Sequence, residues 1–173
     1  YGEIDLALGE RLRLSVGARV ETYDDGYSDS AGVMADPDDT MWGVAANLQY
    51  LISDTLLVYA AFDRGYKTGG VNGQAVAAAD PAVDPVIAAF LDERLAFEAE
   101  TLLSYELGLK GSFLEDRMTI NVSAFFMQRD DMQANSWVLF PPANWRSYID
   151  NVDQGENWGL ELELGWRPTD ALQ

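Results

Sequence analysis

Apolar and polar positions alternate along much of this chain, most clearly between Thr101 and Arg129. Leu103, Tyr105, Leu107, Leu109 and Phe113 take the odd positions; Ser104, Glu106, Gly108, Lys110 and Ser112 lie between them. A polar knot, Glu115-Asp116-Arg117, interrupts the run. The pattern resumes with Met118, Ile120, Val122, Ala124 and Phe126 on one side and Thr119, Asn121 and Ser123 on the other. Strand side chains alternate between faces, so this stretch predicts a β-hairpin with one oily and one wet face. Each arm is about a dozen residues, longer than an ordinary strand of about 5–6. A tilted transmembrane strand needs about 9–11.

The same period recurs elsewhere. Residues 3–8 alternate and end at a Gly9-Glu10 turn. Residues 11–22 place Leu12, Leu14, Val16, Ala18 and Val20 opposite Arg11, Arg13, Ser15, Arg19 and Glu21. Residues 41–51 set Trp42, Val44, Leu48 and Tyr50 against Gly43, Asn47 and Gln49. After a short Ser53-Asp54 turn, residues 55–66 are apolar almost without a break, which suits a buried strand as well as a membrane strand. Residues 156–167 alternate again, with Trp158, Leu160, Leu162, Leu164 and Trp166 opposite Asn157, Glu161 and Glu163.

The connections differ in length. Gly9-Glu10, Ser53-Asp54, Glu115-Asp116 and Thr169-Asp170 are tight. Residues 23–40, 67–99 and 130–150 predict three long loops, the last after a strand continuing through Trp137 until Pro141-Pro142. In the second loop, Asp84-Pro85 is a helix start, followed by Ile87, Phe90, Leu91 and Leu95 at helical spacing. One short helix is expected there. The predicted fold is all-β: an antiparallel up-and-down meander of about seven strands, with short turns at one end and long loops at the other.

A lipocalin-like barrel with an apolar lumen would show the same alternation. Long strands, charges on the polar face, and Tyr50, Phe113 and Trp166 just before tight turns favour lipid outside, with an interfacial aromatic girdle. Leu12, Leu14, Val16, Trp42, Val44, Leu48, Leu107, Leu109, Ile120, Leu160 and Leu162 are then expected on the convex face. Arg13, Arg19, Gln49, Glu106, Lys110, Asn121, Glu161 and Glu163 are expected on the concave one.

Composition narrows the chemistry. Among 173 residues there are 29 Asp and Glu against 11 Lys and Arg, a net charge of −18 that disfavours nucleic acid. The chain has no Cys and no His, which removes disulfides, thiolate metal sites, imidazole ligands and a Ser-His-Asp triad. It starts at Tyr1 and stops inside a predicted turn, so a piece of a longer protein is expected.

Three segments carry a resemblance. Residues 58–73, VYAAFDRGYKTGGVNG, resemble a strand end of the TonB-dependent outer-membrane receptors. Residues 97–126, beginning FEAETLLSYELGLKG, look like the same family's hairpin. Residues 151–172, beginning NVDQGENWGLELELGW, are similar to a third of its strands. The resemblance implies about seven strands of a 22-stranded barrel with a plugged lumen. The plug domain, the TonB-contacting segment and the terminal aromatic strand are missing from the matched segments. It implies TonB-dependent uptake of a scarce nutrient, most often a ferric siderophore, across a Gram-negative outer membrane. Partners would be TonB, through the missing N-terminal part, outer-membrane lipid and a small iron chelate. No enzyme activity, cofactor or resident metal is implied. A passive porin-like barrel is the alternative.

Two sets of residues could carry function. Arg13, Arg19, Glu106, Lys110, Asn121, Glu161 and Glu163 could hydrogen-bond a plug, or simply solvate a lumen. Arg64, Tyr66, Lys67 and Asn72, where a strand meets a long loop, could line a ligand path. Turn chemistry around Gly69, Gly70 and Gly73 explains the same residues. Trp137, Phe140 and Trp145 could grip an aromatic ligand or pack the loop. The Asp-rich loop at 24–39 lacks EF-hand spacing and reads as a solvated acidic loop.

Overall fold

The structure, a computed structural model, describes residues 1–140 and 144–169, apart from the side chains of Phe140 and Asn144. Seven strands form one antiparallel sheet: β1 Gly2–Leu8, β2 Leu12–Asp24, β3 Asp38–Ser53, β4 Leu56–Lys67, β5 Glu100–Phe113, β6 Met118–Phe140 and β7 Asn144–Trp166. Each pairs with its neighbours in sequence, as the alternating turn lengths predict. Among the described residues, β1 and β7 are paired on one side only, so the sheet is open.

Register fixes the faces. Directly opposed residues of an antiparallel pair project to the same side. Leu8, Leu12, Tyr50, Val58, Leu109, Val122 and Leu162 form one continuous row across all seven strands. The next row towards the long-loop end is Leu6, Leu14, Leu48, Ala60, Leu107, Ala124 and Leu160. Ile4, Val16, Ala46, Phe62, Tyr105, Phe126 and Trp158 follow. Every residue predicted for the oily face shares this side, and every residue predicted for the wet face lies on the other. The near-continuous apolar run of β4 is resolved in the same way. Val58, Ala60 and Phe62 join the oily rows, while Leu57, Tyr59 and Ala61 oppose Lys110, Gly108 and Glu106 on the polar side.

The oily face is exposed; Leu107 is 65% and Leu160 81% accessible. Aromatic residues bracket it. Trp42 and Tyr50, Tyr105 and Phe113, and Trp158 and Trp166 are each separated by eight positions on one strand. That is about 26 Å along a strand, close to the apolar band of about 25 Å in outer-membrane barrels. The Phe62 and Tyr105 rings meet tilted, with centroids 5.1 Å apart, and Tyr105 and Phe126 lie at 6.4 Å. Among the described residues no helix is long and apolar enough to cross a membrane.

Three expectations need correction. The region 130–150 is not mainly loop, because β6 and β7 run on as one hairpin of 23-residue strands. The final strand therefore starts at Asn144, twelve positions before the predicted 156. Asp and Asn weaken the alternation there, but cross-strand pairing satisfies the backbone regardless of propensity. The stop expected at Pro141-Pro142 lies outside the described residues, as does Asp170 of the expected last turn. Third, the Gly-rich stretch after β4 holds an unanticipated helix, α1 Gly73–Ala77.

The predicted helix is present as α2 Pro85–Asp92, with the Asp84 carboxylate accepting the Ile87 N–H at 3.1 Å. Two two-residue ladders, Tyr27–Ser28 with Met34–Ala35 and Gly70–Val71 with Ala96–Phe97, brace the first two loops. The compact core lies between loop 68–99 and the outer half of the β6–β7 hairpin. Leu91 is fully buried with Ala75 and Tyr148, against Val76, Ile87, Phe90 and Val138. Loop 68–99 thus packs on the outer half of the β6–β7 hairpin. Leu109 sits midway between Tyr105 and Phe113 on the oily face. Leu109→Arg in the full-length protein should therefore cost about 2–4 kcal/mol, read as a loss of unfolding free energy in lipid.

Candidate functional site

At the long-loop end the sheet forks. β3 stays paired with β2 out to Asp24↔Asp38, but with β4 only as far as Val44↔Arg64. Beyond that point β4 continues with β5 alone, to Lys67↔Glu100. The fork holds a cleft of about 580 Å³ lined by Trp42, Arg64, Tyr66, Gly69, Phe97 and Thr101 among others. Arg64 lines it and bridges the two sides of the fork. Its guanidinium lies 3.8 Å from the Trp42 ring centroid, donates to the Trp42 carbonyl, and reaches Thr101 Oγ1 at 3.2 Å. A planar, permanently charged group suits this combined stacking and bridging role. The Tyr66 hydroxyl donates to Glu21 at 2.9 Å. A Cβ on Gly43 would lie 3.1 Å from the Arg64 carbonyl oxygen, so the close approach of β4 favours glycine there.

Asn72 has a different task. It is buried, at 8% exposure. Its amide donates to the carbonyls of Ile149 at 2.7 Å and Arg94 at 2.8 Å, and its Oδ1 accepts the Ile149 N–H at 2.8 Å. One side chain therefore pairs with both backbone groups of Ile149, as a neighbouring strand would. Arg94 adds a 3.3 Å ion pair to Asp150 and stacks 3.9 Å from the Phe90 ring centroid. Lys67 stays exposed at the end of β4, opposite Glu100. Of the four residues predicted at this junction, Arg64 and Tyr66 meet in one cleft. Asn72 and Lys67 do not join them.

Glu100, Gln133 and Asn151 were not singled out from the sequence, yet they organise the same rim. Buried Glu100 accepts the Gln133 N–H at 2.9 Å and pairs with Arg129 at 3.4 Å. The Gln133 amide donates to the carbonyls of Thr68 and Glu98 at 2.8 and 3.0 Å. Asn151 accepts the Glu98 N–H at 2.7 Å and donates to the carbonyls of Glu98 and Asp131. Only long-range placement gives these polar residues their role; Glu100 and Asn151 fall in segments that carry the family resemblance, whereas no local signal marks Gln133.

On the polar face the predicted wall residues form two groups. Lys110, Asn121 and Glu163 lie in one row, with the Asn121 amide donating to Glu163 at 2.9 Å. Tyr59, Gly108, Ser123 and Glu161 form the next. The Tyr59 hydroxyl donates to Glu106, and Lys110 Nζ lies 5.2 Å from the Tyr59 ring centroid. Arg13 lies apart, opposite Gln49, and Arg19 pairs with Glu21 on β2. Trp137 and Trp145 share one face of the outer hairpin, on diagonal positions, and stay exposed at 64% and 59%. The Phe140 side chain lies outside the described residues.

The acidic loop is organised by Asp29. Its carboxylate accepts the N–H groups of Ala31 at 2.9 Å and Val33 at 3.1 Å, and the Tyr27 hydroxyl at 3.0 Å. Partial desolvation pushes this carboxyl up, but the donated N–H and O–H bonds outweigh it and hold its pKa below the usual value. Desolvation and the bond to Asp29 raise the Tyr27 phenol. Among the described residues, no three acidic groups gather closely enough to hold a metal ion.

A long-stranded meander with one exposed, aromatic-bracketed apolar face and one charged face defines a segment of an outer-membrane β-barrel wall. The chain belongs to the TonB dependent receptor-like β-barrel family, whose model matches residues 1–173. A ferric-pyoverdine 358 receptor of Pseudomonas putida is 33% identical over 61 residues, 35% of this chain and 7% of that relative. The structure also resembles the ferric yersiniabactin uptake receptor FyuA from Yersinia pestis, with a TM-score of 0.67 and 19% identity over 97% of this chain and 23% of that one. The copper transporter OprC gives a TM-score of 0.70 and 16% identity, over 97% and 25%. The chain thus spans about a quarter of these solved relatives. Its fold is that of this family's outer-membrane β-barrel wall.

Two outcomes follow. The Asp29 pKa is lower in the folded loop than in the unfolded chain, so its stabilisation is present at neutral pH. It is lost as pH falls through the depressed pKa. Segment 29–34 should then exchange amide protons faster in acid, after correction for intrinsic rates, and Asp29→Asn should abolish that pH dependence. On the polar wall, a Cβ at Gly108 would collide with the Tyr59 ring. Gly108→Val should therefore displace Tyr59, break its bond to Glu106, and lower the unfolding free energy by an amount typical of overpacking, about 1–3 kcal/mol.

Proposed function

We propose that the full-length protein takes up a ferric siderophore across the outer membrane, driven by TonB. The observation that carries this reading is the family match over the entire chain, joined by a curated relative that receives ferric pyoverdine. The copper transporter among the solved neighbours is consistent with a shared wall serving different cargoes, so the wall alone does not set the ligand. In this reading residues 1–173 supply part of the barrel wall. Arg13, Arg19, Glu106, Lys110, Asn121, Glu161 and Glu163 face the lumen and whatever fills it. Arg64, Tyr66, Lys67, Asn72, Trp137 and Trp145 belong to the outer rim, where a chelate arrives first. Arg64 and Asn72 act there by holding the rim in shape, because their donors are engaged within the chain. TonB would act through a part outside these residues.

The test is accumulation of radiolabelled ferric siderophores by cells carrying the full gene. Uptake should require TonB and the proton-motive force, and should saturate with ligand. Equal uptake with and without TonB would identify a passive pore instead.

A further inference from the structure

The outer hairpin and the β4–β5 loop are not independent excursions. Three side-chain amides stitch them together: Asn72 to Ile149, Gln133 to Thr68 and Glu98, and Asn151 to Glu98. Beneath the stitches lies the described apolar core of Leu91, Ala75 and Tyr148. Phe90 meets Tyr148 edge-on at 5.6 Å. These contacts make residues 68–98, with 132–139 and 145–152, one packed body standing on the wall.

The join between this body and the wall is weak in a definable way. The β5–β6 ladder ends at Asp130↔Thr101. The β6–β7 ladder omits one pair, Asp131 with Asp153, between Asp130↔Gln154 and Met132↔Val152. Asp131 has a left-handed φ of 53°, unusual for a non-glycine residue. Two like charges face each other at the gap, which disfavours close pairing. One buried carboxylate spans the boundary. Glu100, on the wall, accepts from Arg129 below the gap and from the Gln133 N–H above it.

We propose that this outer body is a lid that moves as a unit about the Asp131/Asp153 break, with Glu100 as its latch to the wall and Asn72 as its internal clasp. The two residues then have separable effects. Loss of Glu100 frees the body from the wall but leaves it intact. Loss of Asn72 loosens the body itself. The proposal concerns motion, so it stands or falls without reference to which ligand is carried.

Spin-label distance measurements on the full-length receptor in lipid test it. Residues 1–173 contain no Cys, so labels enter this region only where placed. Exposed Val86 and Ser147 report within the lid, and Val86 with Thr22 on β2 reports lid against wall. The Val86–Ser147 distribution should be narrow and the Val86–Thr22 distribution broader. Glu100→Ala should broaden only the second pair. Asn72→Ala should broaden the first. Asp131→Gly, which suits the left-handed backbone and should not impair folding, should broaden only the lid-to-wall pair. Equal widths for the two pairs in the parent, or Glu100→Ala broadening both alike, would overturn the lid.

Discussion

The constraint on which this structure rests is that a backbone in hydrocarbon has no water to bond. Each N–H and C=O must find a partner within the chain, at a cost of several kcal/mol for each failure. The ladder therefore dictates everything else about the wall. It holds seven strands in one uninterrupted order, and it fixes register from Leu8 across to Leu162. Register in turn fixes chemistry. A slip of one residue would carry Leu107 and Leu109 to the wet side and Glu106 and Lys110 into lipid.

Where the ladder stops, side chains continue its work. Arg64 takes the Trp42 carbonyl just past the last β3–β4 pair. Glu100 receives the Gln133 N–H just past the last β5–β6 pair. Asn72 supplies a donor and an acceptor to a single residue of β7. Amide and guanidinium groups suit this use because they are planar and present their donors in fixed directions. The outer rim thus has an ordered shape although loops build much of it. Polar residues in such places serve the frame first, and any contact with cargo would fall to groups left exposed, such as Trp137 and Trp145.

Much of the wall was legible in the sequence because period-two alternation is a direct imprint of the pleat. Leu12 to Val20, Leu103 to Phe113 and Trp158 to Trp166 each announced both a strand and its oily side. The outer hairpin was less legible. Asp130, Asp131, Asn135 and Asp150 are residues that turns favour, and nothing local says that a partner strand will pair them. α1 was hidden for a similar reason, since Gly73 suggests a turn until the helix packs Ala75 against Leu91 and Tyr148. Among the candidate residues, alternation correctly separated Glu106, Lys110, Asn121 and Glu163 from the oily face. It could not show that Asn72 reaches Ile149, 77 positions away. Side-chain pairing over such separations is a property of the assembled fold.

The length of the outer hairpin also has a mechanical meaning. From Asp131 to Phe140 the strand extends about 30 Å at about 3.3 Å per residue. An arm of that length amplifies rotation. A turn of about 10° at its base sweeps the far end through about 5 Å, roughly the spacing of two adjacent strands. A backbone adjustment too small to disturb the lipid-facing rows is thus enough to carry the two exposed tryptophans through about one strand spacing. Leverage, not flexibility of the tip itself, would let a stiff wall present a movable surface to the water outside.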